Sequence, residues 1–171
     1  MKDAEPVFAF LGLGGNVGDR AAALRQACRH IAALPFSSLS NVSPVYETAP
    51  WGFLQQADFL NAVAEVRTSL QPIDLFLAVK NIERALGRRP SERNHPRIID
   101  IDVLLYGDLV LNDPRLIIPH PGIPERRFVL QPLADLAPEL EHPVLHISIR
   151  DMLARCATEG AVYPYTRQRI E

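Results

Sequence analysis

One apolar stretch that contains two aspartates constrains this chain more than any other feature. Residues 98–105 read Ile-Ile-Asp-Ile-Asp-Val-Leu-Leu. Because successive side chains of a β-strand point to opposite faces, Asp100 and Asp102 are expected to share one face, about 7 Å apart at their Cα atoms. The apolar side chains expected on the other face are Ile99, Ile101, Val103 and Leu105.

Two like charges on one face of a strand repel each other and need compensation. A hard divalent cation such as Mg²⁺, bound by the carboxylate oxygens of Asp100 and Asp102 together with substrate phosphates, supplies that compensation. The alternative is a half-exposed strand with an acidic face whose aspartates pair with arginines. The strand by itself leaves both readings open.

The chain as a whole predicts one compact domain over residues 1–171. Its 171 residues are 47% apolar and 22% charged, which suits a single buried core. The net charge of −2 and the pI near 6.2 give no basic excess, so we expect no general nucleic-acid binding and only a local polyanion site.

The cysteines and the absence of long apolar runs indicate a reducing, aqueous compartment. Cys28 and Cys156 form no C-x-x-C motif and fall at apolar positions of helical patterns, so we expect buried free thiols. No run reaches a membrane-spanning length. The expectation is a cytoplasmic protein with no membrane contact, either a monomer or a weak homodimer.

Hydrophobic periodicity predicts a β-α-β-β-α-β order of elements. The expected strands are 7–13, 41–48, 59–68 and the aspartate strand, and the expected helices are 20–34 and 72–86, the first capped by Asp19 and the second followed by Gly87. The connection between the two middle strands is too short for a crossover helix, so they should be antiparallel. This order predicts an α+β, ferredoxin-like fold with helices packed on an antiparallel sheet.

The glycines after the first strand do not complete a nucleotide-binding fingerprint. Gly12 and Gly14 are followed by Val17 where a third glycine is needed, and no Lys-Ser/Thr pair follows. A tight turn that requires positive φ is the preferred explanation for them.

Beyond the aspartate strand the pattern becomes irregular. A short strand at 109–111, a proline-stiffened loop at 119–124 and a helix around Phe128 to Leu136 are predicted, followed by a capping box from Ser148 to Asp151. The tail from residue 159 carries no functional signal, and it either packs on the domain or frays.

Basic side chains flank the aspartate strand on both sides in the sequence. Arginines precede it, and His120, Arg126 and Arg127 follow it. Arginine forks match phosphate oxygens, so the group predicts a polyphosphate site with bridging Mg²⁺. The alternative is a solvated loop whose arginines pair with Glu83 and Glu92.

Several ordered motifs resemble the 6-hydroxymethyl-7,8-dihydropterin pyrophosphokinase family from Leu11 to about Leu140. Its members move a pyrophosphoryl group from ATP to the pterin hydroxymethyl group and release AMP in folate biosynthesis. The motifs are Leu-Gly-Leu-Gly-Gly-Asn at 11–16, Tyr-Glu-Thr-Ala-Pro at 46–50, Asp-Phe-Leu-Asn at 58–61, Pro-Arg at 96–97, Asp-Ile-Asp-Val-Leu-Leu-Tyr-Gly at 100–107, Pro-His at 119–120 and Arg-Arg-Phe at 126–128.

The resemblance implies a role for each matching residue. Asp100 and Asp102 would bind two Mg²⁺ ions. The residues implied to hold the ATP phosphates, and with them the transition state, are Arg93, Arg97, Arg115, His120 and Arg126, with Val103 and Ile117 beside the adenine. Those implied to bind the pterin are Phe59 and Phe128, which stack on the ring, Thr48 and Asn61, which bond its edge, and Ala49 and Trp51, which wall it.

The chain departs from the family in the segment before the aspartates. The family commonly reads Arg-Trp-Gly-Pro-Arg where this chain has Arg-Asn-His-Pro-Arg at 93–97, and Pro90 replaces a frequent arginine, for which Arg88 or Arg89 can substitute. The resemblance therefore implies looser closure of this loop, with Trp51 or His95 covering part of the site.

Two other functions follow from the same observations. An RNA-binding module shares the β-α-β-β-α-β order but needs paired aromatics on central strands and a basic face, which the sequence does not show. A pterin-binding protein with weakened catalysis is the other, because the loop tryptophan is missing.

Overall fold

An antiparallel sheet of six strands organises the protein, as seen in a computed structural model that describes residues 5–50, 54–91, 95–157 and 160–166. The strand order is β5-β1-β4-β3-β8, and β2 also pairs with β4. The strands of this sheet are β1 (Val7–Gly15), β2 (Ser37–Val42), β3 (Val45–Thr48), β4 (Phe59–Thr68), β5 (Asp100–Tyr106) and β8 (Val162–Thr166). A separate hairpin consists of β6 (Leu111–Asp113) and β7 (Leu116–Ile118).

In the described part of the chain, four α-helices cover the two faces of the sheet. They are α1 (Arg20–Ala32), α2 (Pro72–Ala85), α3 (Arg127–Leu136) and α4 (Ile149–Arg155), and a short 3-10 turn spans Ile123–Glu125. The first core cluster packs α1 and α2 on one face, and the second packs α3 and α4 on the other. The predicted α+β class is therefore confirmed, and the strand order is compatible with a ferredoxin-like arrangement.

Most predicted elements occur where the periodicity placed them. Asp19 caps α1 by accepting a hydrogen bond from the N–H of Ala22, and Ser148 caps α4 through the N–H of Asp151. Gly87 follows α2 with a φ of +94°, as a residue that ends a helix does. Cys28 and Cys156 are both buried, and neither forms a disulfide bond, as expected.

The predicted strand over 41–48 is wrong in its boundaries, because the structure divides it at Ser43 and Pro44. Proline has no N–H to give to a sheet, so it interrupts the ladder along β4. The Ser43 hydroxyl instead accepts a hydrogen bond from the N–H of Val63. The strand predicted at 109–111 is also displaced, since β6 begins at Leu111.

Leu105 lies on the opposite face from the one predicted. Phe10 pairs with Leu105 and the next residue, Leu11, pairs with Val103, so Leu104 is an extra residue in β5. This bulge reverses the alternation, and Leu104 and Leu105 both pack into the second core cluster.

The glycines near the start of the chain are not turn residues, which corrects the prediction of positive φ. Gly12, Gly14 and Gly15 lie within β1, and in this segment only Gly18, with a φ of +70°, has that conformation. A Cβ on Gly15 would lie 2.2 Å from the carbonyl oxygen of Ile98. A close approach of two backbone segments therefore requires the glycine.

The C-terminal segment forms a strand rather than a frayed tail. Strand β8 pairs antiparallel with β3, and Val162 lies opposite Thr48. This part of the tail therefore covers an edge of the sheet next to a predicted substrate-binding residue.

Candidate active site

Two glycines on β1 lie directly opposite the two aspartates of β5. Across the β1–β5 pair, Gly14 lies opposite Asp100 and Gly12 lies opposite Asp102. On its other side, Gly14 lies opposite Asn61 of β4. Both glycines line a cleft that extends across the sheet from the carboxylates of β5 to the polar residues of β4 and β3.

The cleft brings together much of the predicted phosphate set and the predicted pterin set. Its volume, open mouth included, is about 750 Å³. The predicted site residues that line it are Thr48, Ala49, Phe59, Asn61, Arg97, Asp100, Asp102, Arg126 and Phe128.

Two phenylalanines form the aromatic part of the lining, and an arginine lies against each of them. The guanidinium carbon of Arg97 is 5.5 Å from the ring centre of Phe59, and that of Arg126 is 5.9 Å from the ring centre of Phe128. Each pair places a cation–π contact at the boundary between the aromatic and the ionic parts of the cleft.

A buried polar pair lies at the β3–β4 side of the cleft. The Asn61 amide donates a 2.7 Å hydrogen bond to the Thr48 hydroxyl, and both residues are under 10% exposed. This contact orients the amide, so its remaining polar atoms are presented in a defined direction.

Among the described residues, three cations surround the carboxylate of Asp100. Arg97 Nη1 lies 3.1 Å from Asp100 Oδ2, Arg88 contacts Asp100 Oδ1, and Lys80 Nζ lies 3.8 Å from the same oxygen. Lys80 Nζ also lies 3.7 Å from Oδ1 of Asp102. The aspartates therefore share one face of β5, as predicted, and each has a cationic neighbour.

The charges around the two aspartates move their pKa values in opposite directions. Burial acts to raise the pKa of Asp100, but the charges of Arg88, Lys80 and Arg97 outweigh it and hold that pKa below its usual value. Burial, followed by the charge of Asp100, raises the pKa of Asp102. Asp100 is thus the firmly ionised member of the pair.

His120 lies near the aspartates without lining the cleft. Its backbone N–H donates to the carbonyl of Leu104 at 2.9 Å, and its Nδ1 accepts a 3.0 Å hydrogen bond from the N–H of Gly122. Burial lowers the pKa of His120, and the charge of Asp102 partly opposes that effect. Its Nδ1 is the acceptor, so the neutral ring carries its proton on Nε2.

Three of the predicted nucleotide-binding residues lie away from the described cleft. The Val103 side chain is 2% exposed and packs into the first core cluster. Arg115 makes a two-pronged ion pair with Asp113, at 3.0 and 3.1 Å, and Ile117 is 48% exposed on β7. Their roles toward ATP remain predictions. Trp51, Arg93 and Asn94 fall outside the described residues.

Sequence reasoning missed two residues that organise the site. Lys80 lies on the half-buried side of α2, and the amphipathic pattern of this helix predicts only that a lysine there faces solvent. Asn16 is 6% exposed and joins two loops: its Oδ1 accepts from the N–H of Arg97 at 3.0 Å, and its Nδ2 donates to Gln56 and to the Ala57 carbonyl at 2.9 Å. An asparagine directly after a strand was the available signal.

Comparison with solved structures establishes the class of fold. The HPPK-DHPS protein of Plasmodium falciparum superposes with a TM-score of 0.72 at 18% identity, over 91% of this chain and 44% of that one. The chain therefore spans less than half of that protein, and the similarity describes the fold.

The sequence itself identifies the family. The chain belongs to the 7,8-dihydro-6-hydroxymethylpterin-pyrophosphokinase (HPPK) family, whose model matches residues 10–138. The resemblance and the assignment as a pyrophosphokinase of folate biosynthesis are therefore confirmed, and ATP is the family's co-substrate.

Two bacterial relatives are similar over most of their length. Both are named 2-amino-4-hydroxy-6-hydroxymethyldihydropteridine pyrophosphokinase. The protein of Methylorubrum extorquens is 44% identical over 152 residues, which are 89% of this chain and 95% of the relative. That of Bacillus subtilis is 41% identical over 133 residues, 78% of this chain and 80% of the relative. Among the described residues, no helix is long and apolar enough to cross a membrane.

Proposed function

We propose that this chain transfers pyrophosphate from ATP to 6-hydroxymethyl-7,8-dihydropterin by direct in-line attack within the cleft. The observation that carries the proposal is the meeting of two chemically different halves in one cavity. Aromatic rings and an oriented amide lie at one end, and carboxylates with cations lie at the other. A flat heteroaromatic alcohol and a metal-bound polyphosphate are the partners these halves fit.

The pterin is proposed to bind between the two phenylalanines. Phe59 and Phe128 would supply stacking faces, Asn61 and Thr48 would bond the edge of the ring, and Ala49 and Trp51 are the residues proposed to wall it. Because Asn61 is held by Thr48 at 2.7 Å, a polar ring edge meets a preorganised amide. Apolar faces with a few placed polar groups match the composition of small-ligand sites.

The carboxylates suit magnesium. Asp100 and Asp102 present hard oxygens on one face, and the described residues contain no cluster of three or more acidic, histidine or cysteine side chains that could enclose an ion. Two carboxylates completed by phosphate oxygens are a usual Mg²⁺ environment. Two bound Mg²⁺ ions would neutralise phosphate charge and align the reacting oxygens.

The phosphates are proposed to lie among Arg97, Arg126, Arg93 and His120, with Arg115 at the outer end. Arg97 and Arg126 already face the cleft, and both lie at the aromatic boundary where the two substrates would meet. Val103, through its backbone, and Ile117 would border the adenine.

The chemical step needs positioning and charge stabilisation from the protein. The hydroxymethyl oxygen attacks the β-phosphorus and releases its proton to solvent, the bond from that phosphorus to the α–β bridging oxygen breaks, and AMP leaves with that oxygen. Arginine side chains around the β-phosphate stabilise the charge that develops there. Phe59 and Phe128 hold the alcohol in line, which accounts for much of the barrier reduction in such reactions.

The decisive assay measures AMP formed from ATP with and without the pterin and Mg²⁺. We expect AMP only when both are present, whereas ADP as the product, or turnover without the pterin, would refute the proposal. Pterin binding without AMP release would identify a binding protein with weakened catalysis.

Asp102→Asn tests the role of the carboxylate pair. The change preserves the size of the side chain and removes its negative charge. We therefore expect turnover to fall on the order of a thousandfold, while the free energy of unfolding changes by less than about 1 kcal/mol. Glu47→Gln, on strand β3 and separated from β5 by two strands, is the matched control for loss of a carboxylate. Full activity in Asp102→Asn would exclude the metal role.

A further inference from the structure

Lys80 holds a position that the proposed reaction leaves unexplained. It extends from α2 to the edge of β5, where its Nζ donates 2.8 Å hydrogen bonds to the carbonyl of Ile101 and to Oε1 of Glu83. The same nitrogen lies 3.8 Å from Asp100 Oδ1 and 3.7 Å from Asp102 Oδ1. Within the described residues, Lys80 forms ion pairs with both aspartates, whereas Arg88 and Arg97 form ion pairs with Asp100.

The two kinds of contact at Lys80 differ in a way that matters for its role. Its contacts with Ile101 and Glu83 have hydrogen-bond length, whereas those with the aspartates are longer than a hydrogen bond. Glu83 is itself held in place, because its Oε1 accepts a 2.6 Å hydrogen bond from the N–H of Ile101. Lys80 is therefore anchored to the backbone of β5 and to α2, and the aspartates are not needed to hold it.

An anchored ammonium group this close to two carboxylates offsets part of their negative charge. Its charge lowers the attraction of the aspartate pair for a second cation. Because Lys80 makes no hydrogen bond to either carboxylate, it leaves the oxygens of Asp102 geometrically accessible. A positive charge less than 4 Å from each carboxylate repels an incoming cation, and this repulsion is strong in a half-buried site. Polyphosphate brings negative charge with it and removes that disadvantage.

We propose that Lys80 is a positioning residue that makes Mg²⁺ binding depend on the nucleotide. It acts as a fixed positive charge that keeps the affinity of the aspartate pair for Mg²⁺ alone low, so that the metal enters as part of a metal–nucleotide complex. The inference rests on the proposed metal site at Asp100 and Asp102, and it adds an electrostatic condition on how that site fills.

The test compares Lys80→Gln with Lys80→Arg. Glutamine keeps an N–H donor near the Ile101 carbonyl and removes the charge, whereas arginine keeps the charge. Isothermal titration with MgCl₂ in the absence of nucleotide should show at least tenfold tighter Mg²⁺ binding by Lys80→Gln than by the unmodified chain, and Lys80→Arg should resemble the unmodified chain. Equal affinity in all three proteins would overturn the inference.

A second readout follows the same variants by thermal unfolding. MgCl₂ alone should raise the Tm of Lys80→Gln by several degrees more than that of the unmodified chain, because a ligand that binds the folded state stabilises it. If Lys80→Gln does not fold, Lys80→Met replaces it, since methionine preserves the apolar stem. A Tm shift that is the same with and without the lysine charge would contradict the proposal.

Addition of Asp102→Asn separates this inference from the proposed function. If the tight Mg²⁺ binding of Lys80→Gln disappears in the double variant, the ion is bound at the aspartate pair, as proposed. If it persists there, the metal lies elsewhere, and both the metal site and the role of Lys80 fail. One further outcome would retain the metal site and reject only the role of Lys80. In that outcome, all Lys80 variants bind Mg²⁺ together with α,β-methylene-ATP at the affinity of the unmodified chain, and their binding of Mg²⁺ alone is also unchanged.

Discussion

Replacement of Gly15 by alanine tests whether the contact between β1 and the arginine-bearing loop organises the site. The added Cβ would lie 2.2 Å from the carbonyl oxygen of Ile98 and 3.0 Å from its carbon, both of them backbone atoms. To relieve this clash, the two segments must separate by about an ångström. Backbone shifts forced by overpacking cost roughly 1 to 3 kcal/mol.

Separation also breaks the hydrogen bonds that join these segments. Asn16 N–H donates to the Arg97 carbonyl, and Arg97 N–H donates to Asn16 Oδ1, each at 3.0 Å. Two bonds at about 1 kcal/mol each, added to the cost of overpacking, give a total loss of unfolding free energy of roughly 3 to 5 kcal/mol. Because Arg97 moves with its loop, AMP formation should fall on the order of a hundredfold in protein that remains folded.

Urea unfolding and the AMP assay measure these two effects. Gly12→Ala is the matched control for the urea measurement, because the nearest atoms to its Cβ, at 3.4 Å, belong to the flexible Leu104 side chain, and it should change stability by less than about 1 kcal/mol. If Gly15→Ala unfolds at the same urea concentration as Gly12→Ala, the close backbone approach is not the reason for the glycine.

Two further predictions concern parts of the chain outside the cleft. Burial, and after it the charge of His146, lowers the pKa of His142. The stability that the neutral His142 contributes should therefore be fully present above about pH 6.5 and fall as the pH drops from there toward the lowered pKa. The slope should reach roughly 1.4 kcal/mol per pH unit, since one proton is involved. His142→Gln should flatten this slope in urea unfolding between pH 7 and 5, and an unchanged slope would contradict the assignment. A chain that ends at Gly160 loses β8, which pairs with β3 beside Thr48, so pterin affinity measured by calorimetry should weaken roughly fivefold, or about 1 kcal/mol. Pterin affinity equal to that of the full chain would show that β8 does not support the site.

The sequence predicted best where a single local rule decides the outcome. The strand period of two placed Asp100 and Asp102 on one face, and helical spacing together with Asp19 and Gly87 gave α1 and α2 to within about two residues. These features depend on neighbouring residues along the chain, whose preferences are visible without knowledge of the partner.

The predictions failed where a distant part of the chain decides the conformation. Pairing with β1 introduces the bulge that moves Leu105 to the other face, and nothing within β5 itself signals it. Strand β8 was missed because its sequence, Val-Tyr-Pro-Tyr-Thr, contains a proline, which an edge strand tolerates and an isolated pattern argues against.

The sequence by itself determined the family, the α+β order of elements and the carboxylate pair, because ordered motifs and side-chain periodicity are written along the chain. Only the tertiary structure decided which groups meet that pair. Lys80 comes from α2, and glycines of β1 line the cleft beside the aspartates, so the charge and the shape of the site result from how the elements pack together.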